Sequence, residues 1–295
     1  MDRTIKITVF TPTYNRSRLL KRVYESLLQQ TNFSFEWIIV DDGSVDSTEE
    51  LITDFIAEQK IPITYFKQEN KGKHFAINKG VQLAKGELFL ILDSDDELPV
   101  NSVKQILEHY DTVKNLHLIG GVSGRRNNAD GSIVGNDIVK SIVSNSLKIR
   151  FSYKITGDLV EVFKTEVLKE FPFPEIKNEK FCPEALVWNR IAQKYNLLFF
   201  NSGIYTTEYL PDGLTAKIVK IRMTSPVASM ICYSELASYE IPFIQKIKAT
   251  LNYWRFSFNS SESFSMKMKR VNPIISLFCF PLGYIMYKND KKKWL

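Results

Sequence analysis

Glu87-Leu88-Phe89-Leu90-Ile91-Leu92 leads straight into Asp93-Ser94-Asp95-Asp96. A short and nearly all-apolar run is the pattern of a strand covered on both faces, as in parallel sheets flanked by helices. Working outward, "ITYFKQ" (63–68) reads as a strand, with a helix over 74–84 joining it to the acidic-ended one. "FEWIIV" (35–40) is a strand running into Asp41-Asp42-Gly43-Ser44, and the next helix has Asp46 as N-cap with Glu49 as capping-box partner. "TIKITVF" opens the series and ends at Thr11-Pro12-Thr13, after which Leu19, Leu20, Val23 and Leu27 recur at helical spacing. Strands alternating with helices predict an α/β fold, a doubly wound and mostly parallel sheet over about the first 120 residues.

The polar residues then fall at one structural place. Thr13 to Asn15, Asp41 to Ser44, Asn70 to Lys73 and Asp93 to Asp96 all follow the C-terminal ends of predicted strands, the edge where open α/β sheets bind ligands. No G-x-G-x-x-G follows the first strand and no G-x-x-x-x-G-K-[ST] occurs, which disfavours a dinucleotide site and a P-loop. Three carboxylates within four residues repel one another unless positive charge sits beside them. A divalent cation, Mg2+ or Mn2+, answers that need, since hard oxygen ligands select such ions and they share their shell with substrate phosphates. The alternative is a solvated turn, with Asp95 or Asp96 capping the helix that begins near Asn101.

Composition bounds the rest. The chain has 295 residues, 44% hydrophobic and 13% aromatic, enough for a sizeable core. Cys182, Cys232 and Cys279 are odd in number and far apart, so neither a disulfide framework nor a zinc ribbon is expected, and a reducing compartment fits. Met1-Asp2-Arg3-Thr4-Ile5-Lys6 lacks the apolar core of a signal peptide, which points to the cytosol. Residues 1–225 carry 29 basic and 29 acidic side chains, whereas 226–295 carry 10 and 4 and so hold the whole formal charge of +6. Nucleic acid fits such a distribution poorly. From Pro226 the pattern changes to a helical extension, basic and aromatic, with Ile247, Leu251, Trp254 and Phe258 on one helical stripe. The apolar run Ile274 to Tyr287 is too short to span a bilayer and is interrupted by Pro281 and Gly283. Flanked by Lys267, Lys269 and Arg270 and by Lys288, Lys291, Lys292 and Lys293, the extension is expected to lie on an anionic membrane surface. The alternative is an arm packed on the domain or on a second subunit, so that an oligomer stays open. Residues 120–155, rich in Gly, Asn and Ser, read as a long surface excursion.

"TPTYNR", "VDDGSVDST", "NKGKHFAINKGVQLAKGELFLILDSDD" and "EKFCPEALVWNRIA" together resemble the family 2 glycosyltransferases of GT-A fold, above all bacterial enzymes that build capsular and other surface polysaccharides. The resemblance covers about residues 4–215, the ordered set being far more specific than any one motif. It implies a catalytic domain over 1–225, with 1–120 binding the nucleotide sugar and 121–225 the acceptor, and an extension over 226–295. By resemblance Thr11, Pro12, Thr13, Tyr14, Asn15 and Asp42 line the nucleotide pocket, Asp42 as an exposed carboxylate accepting from the base. Asn70, Gly72 and Lys73 face the diphosphate, Asp93 and Ser94 the ribose and metal shell, and Asp95, with Asp93, the metal. Asp96 supports them, and Lys71 and His74 are weaker phosphate candidates.

Members of this family that resemble the chain invert the anomeric centre, using one carboxylate to deprotonate the acceptor hydroxyl. The usual acidic pair followed by Trp and Arg is represented here by Pro183-Glu184-Ala185-Leu186-Val187-Trp188-Asn189-Arg190, with Pro in place of the first acid and Glu in place of Asp. Glu184 is therefore the expected base, although a Glu after Pro also simply favours a helix N-terminus. Asp158 is the runner-up. Trp188 stacks on a sugar or belongs to the core, and "EYLPDGLT" (208–215), with Asp212, is a closing segment or a turn. His109 and His117 form no ligand spacing. The expected activity is transfer of a sugar from a nucleoside diphosphate sugar, UDP-linked, to a hydroxyl of a surface polysaccharide or lipid-linked glycan. The rivals are a sugar-phosphate nucleotidyltransferase and a non-catalytic subunit of a membrane assembly. The clustered aspartates disfavour a glycoside hydrolase.

Overall fold

A computed structural model describes residues 4–138, 140–207 and 217–294. Its first half is β1 (Ile7–Thr13), α1 (Ser17–Leu28), β2 (Phe35–Asp41), α2 (Thr48–Ala57), β3 (Ile63–Lys67), α3 (Lys73–Leu83), β4 (Leu88–Ile91) and α4 (Ser102–Asp111). The four strands pair in parallel in the order β3-β2-β1-β4. Every residue of β1 and β2 is buried, because helices cover both faces. Ile7, Val9, Trp37, Ile39, Leu88 and Leu90 pack with Leu20, Val23, Ile52 and Ile106 in one core, while α3 lies against β1 and β2. The first strand ends at Thr11-Pro12-Thr13 as expected, these three residues pairing with Ile39, Val40 and Asp41.

The sheet then turns mixed. β5 (Ile119–Asn127), β6 (Ile142–Ser144), α5 (Ser146–Phe151), β7 (Leu159–Lys164), α6 (Thr165–Glu170) and β8 (Asn196–Thr206) follow. The eight described strands run in the order β3-β2-β1-β4-β7-β5-β8-β6. β7 is antiparallel to both β4 and β5, β5 is parallel to β8, and β6 is antiparallel to β8.

The long surface excursion expected over 120–155 is corrected here. Its first part is β5, whose residues Ile119 to Arg125 are all buried. The glycines that read as loop are needed for close approach: Gly121 has φ +146°, and a Cβ there would lie 2.0 Å from the Val162 carbonyl oxygen on β7. The capping box at α2 also differs. Asp46 Oδ1 does accept from the Thr48 amide (3.2 Å), but Ser47 is the cap position and Glu49 pairs with Lys67 (2.8 Å).

The chain divides into two compact units, 1–172 with 190–208, and 173–189 with 209–295. The second begins α7 (Glu184–Ile191) and holds α8 (Ile218–Thr224), α9 (Pro226–Ser238), α10 (Phe243–Ser257), α11 (Phe264–Met268) and α12 (Pro273–Trp294). Met230, Tyr253, Trp254, Val271 and Cys279 form its core, and Ile247, Leu251 and Phe258 pack against them, so the stripe read on α10 faces inward. α12 runs unbroken through Pro281 and Gly283, which the sequence marks as interruptions. Pro281 lies on the exposed side, and Gly283 lies inward, where a Cβ would come 2.7 Å from Trp254 Cβ. Among the described residues no helix is long and apolar enough to cross a membrane.

Gly121→Ala is expected to lower unfolding free energy by about 2 kcal/mol or more, since the new methyl meets backbone. Gly131→Ala, at φ +83° with nothing near its Cβ, should cost only about 1 kcal/mol. Urea unfolding of both variants checks the contrast, and equal losses would contradict the packing of β5 on β7.

Candidate functional site

The acidic turn sits between two strand ends. The Leu92 amide donates to the Phe10 carbonyl (2.8 Å), and the Asp93 amide donates to the buried Tyr205 hydroxyl (2.8 Å) near the end of β8. Four residues on, Glu97 and Thr206 exchange both backbone hydrogen bonds (3.0 and 2.8 Å). The turn is thus pinned at either side, and its direction is set by β4 and β8 together.

Three carboxylates call for positive charge, and the chain itself supplies it. Lys73 Nζ lies 2.6 Å from Asp93 Oδ1, Arg16 Nη1 3.5 Å from Asp95 Oδ2, and Arg126 Nη1 3.4 Å from Asp96 Oδ2. Thr207 donates to Asp96 Oδ1 (2.8 Å), Arg22 donates to the Asp95 carbonyl, and the Arg126 guanidinium stacks 4.3 Å over the Tyr205 ring. Burial works against ionisation of Asp93, yet Lys73, then Arg126 and Arg16, hold its pKa below the usual value. Asp96 goes the other way: burial first and the Asp93 charge second push it up to about 6. Arg126 stays firmly charged because Tyr205, Asp93, Asp96 and Asp158 outweigh its own burial.

Repulsion alone therefore no longer demands a metal. A hard cation still fits one residue well: the Asp95 side chain is 26% exposed, and among the described residues its ion-pair contact is confined to Oδ2. Asp93 fits only if Lys73 moves aside, its carboxylate being engaged at 2.6 Å. Among the described residues no cage of three or more His, Cys, Asp or Glu side chains exists. Mg2+ and Mn2+ need none, since water and phosphate oxygens complete their shells.

The loops beside β1 and β2 are stitched together. The Asn15 amide donates to Ser44 Oγ (2.8 Å) and the Val45 amide to Asn15 Oδ1 (2.9 Å). Thr11 and Pro12 are buried, Thr11 Oγ1 accepting from the Trp37 indole (2.9 Å), so their side chains offer no surface to a ligand. Tyr14 and Asn15 are exposed, and Thr13 Oγ1 is buried without a hydrogen-bond partner among the described residues. The exposed carboxylate expected at Asp42 is corrected as well. Asp42 is buried and accepts from Gln68 Nε2 (2.8 Å), the Lys71 amide (2.9 Å) and the Gly72 amide (2.8 Å), which fixes the turn entering α3. That turn aims Lys73 at Asp93. Ser94 is buried, Lys71 is exposed and pairs loosely with Glu69 (3.6 Å), and His74 is buried against Phe75.

Asp158 is exposed, just ahead of β7 and on the same unit as the acidic turn, close enough for its charge to be felt by Arg126. Glu184 is the first residue of α7 and belongs to the second unit. On that unit the half-buried Trp188 meets Phe173 edge-on (5.7 Å). Asp212 and the rest of 208–215 lie outside the described residues. His109 stacks on Phe200 (3.9 Å) and serves packing. Sequence reasoning missed Arg16, Arg126, Tyr205 and Thr207. Arg16 stands inside the "TPTYNR" motif, but Arg126 is hidden in a stretch that reads as loop.

The family model for glycosyl transferase family 2 matches residues 8–164. That is more than half of the chain, which belongs to this family. An uncharacterized glycosyltransferase of Nostoc sp., alr2836, is 30% identical over 178 residues, 59% of this chain and 55% of that protein, so the chain spans about half the length of this relative. Staphylococcus aureus TarS 1–349, solved in complex with UDP-GlcNAc, superposes with TM-score 0.63 at 18% identity, covering 95% of this chain and 79% of that one. The mannosyltransferase PcManGT of Pyrobaculum calidifontis, in complex with GDP-Man and Mn2+, superposes with TM-score 0.55 at 16% identity, covering 98% and 87%. The fold is the GT-A fold that the motifs imply.

Asp42→Ala should leave the Lys71 and Gly72 amides without their acceptor. We expect a loss of about 1–3 kcal/mol in stability. Thermal unfolding reads it, and an unchanged midpoint for the variant would contradict the anchoring role.

Proposed function

We propose that this family 2 glycosyltransferase is an inverting enzyme that moves a sugar from a UDP-linked donor to a hydroxyl of a surface polysaccharide or lipid-linked glycan. The observation that carries the reading is the acidic turn after β4, with Lys73, Arg16 and Arg126 around it at the C-terminal edge of the sheet. A nucleoside diphosphate brings two or more negative charges to such an edge, and these three side chains are what it would meet. UDP-GlcNAc and GDP-Man with Mn2+, bound by TarS and PcManGT, support both the donor class and a divalent cation.

In this reading the loops at Tyr14–Asn15 and Asp42 hold the base and ribose, with Asn70, Gly72, Asp93 and Ser94 toward the ribose and diphosphate. Lys73 exchanges its Asp93 partner for a phosphate oxygen. Asp95, joined by Asp93 once Lys73 has turned, would hold the cation, which when bound supplies charge neutralisation for the departing diphosphate. Glu184 takes the proton from the acceptor hydroxyl, whose oxygen attacks C1 of the donor sugar from the face opposite the leaving diphosphate. The bond from C1 to the diphosphate breaks, and UDP leaves with the electron pair. Asp158 is the second candidate for the base, favoured by its place on the same unit as the donor cluster. We keep 1–225 as the catalytic part and 226–295 as the extension, which would bring the enzyme to the inner face of the cell membrane, where a lipid-linked acceptor is found.

Asp95→Asn should remove the gain in UDP-sugar affinity that Mn2+ gives, by about 10-fold or more. Calorimetric titration with and without Mn2+ reads this directly, and a variant as metal-responsive as the parent would remove Asp95 from the site. Glu184→Gln should bind donor normally and transfer at least about 100-fold more slowly. Unaltered transfer would move the base to Asp158. Release of pyrophosphate instead of UDP would identify a nucleotidyltransferase.

A further inference from the structure

α12 shows two opposite faces. Ser276, Cys279 and Gly283 are buried against the core of the second unit, which centres on Trp254 and Tyr253. On the other side, Ile274, Leu277, Phe278, Leu282 and Ile285 are 72%, 72%, 69%, 55% and 55% exposed. At 1.5 Å per residue the strip from 274 to 285 is about 17 Å long. A contiguous apolar face of that size marks an interaction site. The same outward side then changes character: three and seven residues beyond Ile285 it carries Lys288 and Lys292, with exposed Lys291 and Lys293 beside them.

Along α12 itself the positive charge is confined to this end. The basic cluster that precedes the apolar run in sequence is largely spent inside the unit. Lys267 is buried, donating to the Ser260 carbonyl (2.9 Å), and Arg270 pairs with Glu262 (2.8 Å). Arg255 is likewise held by Asp290 (2.8 Å). Of that first flank Lys269 alone stays exposed, so the two flanks read from the sequence are unequal: one exposed lysine before the apolar run and four after it.

We infer that α12 docks obliquely on an anionic lipid bilayer, its first three turns entering the acyl boundary and Lys288, Lys291, Lys292 and Lys293 resting among the headgroup phosphates. Charge decides between a bilayer and a second copy of the chain. Two α12 faces meeting in parallel would stack lysines on lysines, and meeting antiparallel they would bury each lysine end against the other's isoleucine and leucine. An anionic interface accepts both ends at once: apolar side chains enter below the headgroups and lysines snorkel to phosphate. The inference rests on the proposed membrane-surface location and is independent of the transfer chemistry.

The test uses the full chain and vesicles of phosphatidylcholine with and without phosphatidylglycerol. The parent should co-sediment with the anionic vesicles and release as salt rises. The variant Leu277→Ser, Phe278→Ser, Ile285→Ser should partition at least about 10-fold more weakly while keeping its thermal unfolding and its UDP binding, since all three side chains are exposed. Lys288→Gln with Lys291→Gln, Lys292→Gln and Lys293→Gln should abolish the preference for phosphatidylglycerol. A parent that ignores anionic vesicles, a serine variant that binds like the parent, or a dimer that the serine variant splits would each overturn the proposal. Tilt is read separately. The native cysteines are buried, so an environment-sensitive probe can be placed on Ile274→Cys or Lys292→Cys. Deep-brominated lipid should quench the first far more than the second, and equal quenching would overturn the oblique orientation. Loss of UDP binding in the parent would count against the transferase reading alone.

Discussion

The ion pairing of Asp93, Asp95 and Asp96 with Lys73, Arg16 and Arg126 is the constraint around which the first unit is arranged. Each partner comes from a different element: Arg16 from the loop after β1, Lys73 from the first turn of α3, Arg126 from β5. None of these could hold its place without the sheet order that sets β1, β4, β7, β5 and β8 side by side. Partly buried charges are costly unless paired, so the cluster fixes the three elements relative to one another as much as it prepares an anion site. Asp96 and Thr207 close it from the β8 side, with Tyr205 beneath the Asp93 amide. A site of this kind is poised, because an arriving diphosphate can take over cations that are already aligned.

Much of this order is legible in the sequence, for a physical reason. β2 and β4 are covered on both faces, and that condition writes itself as nearly continuous apolar runs ended by Asp. β5 is illegible by the same standard. Its burial depends on Gly121 and Gly124 letting β7 and β8 approach, and glycines in a polar stretch look like loop. Arg126 was lost with that strand. Asp42 shows the limit from the other side: its motif is visible, but only tertiary geometry shows that its carboxylate is already engaged by three N–H donors. The motif marks Lys73 as a phosphate ligand, yet its partner Asp93 lies 20 positions away and no periodicity connects the two.

Glu184 and the acidic turn are carried on different units of the chain. The proposed donor and base functions are therefore separable by mutation, each on its own packing. The extension follows the same logic. Its inward stripe on α10 is readable as a heptad-like pattern, whereas the outward face of α12 becomes visible only when Lys267 and Arg270 prove to be satisfied internally. Charge that looks free in the sequence is divided by the fold into structural charge and surface charge, and on α12 the second kind gathers at one end.

The central claim is that the turn after β4 receives a nucleoside diphosphate together with a cation. Crystals of the protein soaked with UDP and Mn2+, with data collected at the manganese absorption edge, test it most directly. The account predicts an anomalous peak within bonding distance of the Asp95 carboxylate, with Lys73 turned from Asp93 toward a phosphate oxygen. A manganese peak at another part of the chain, or UDP bound away from this turn, would contradict it.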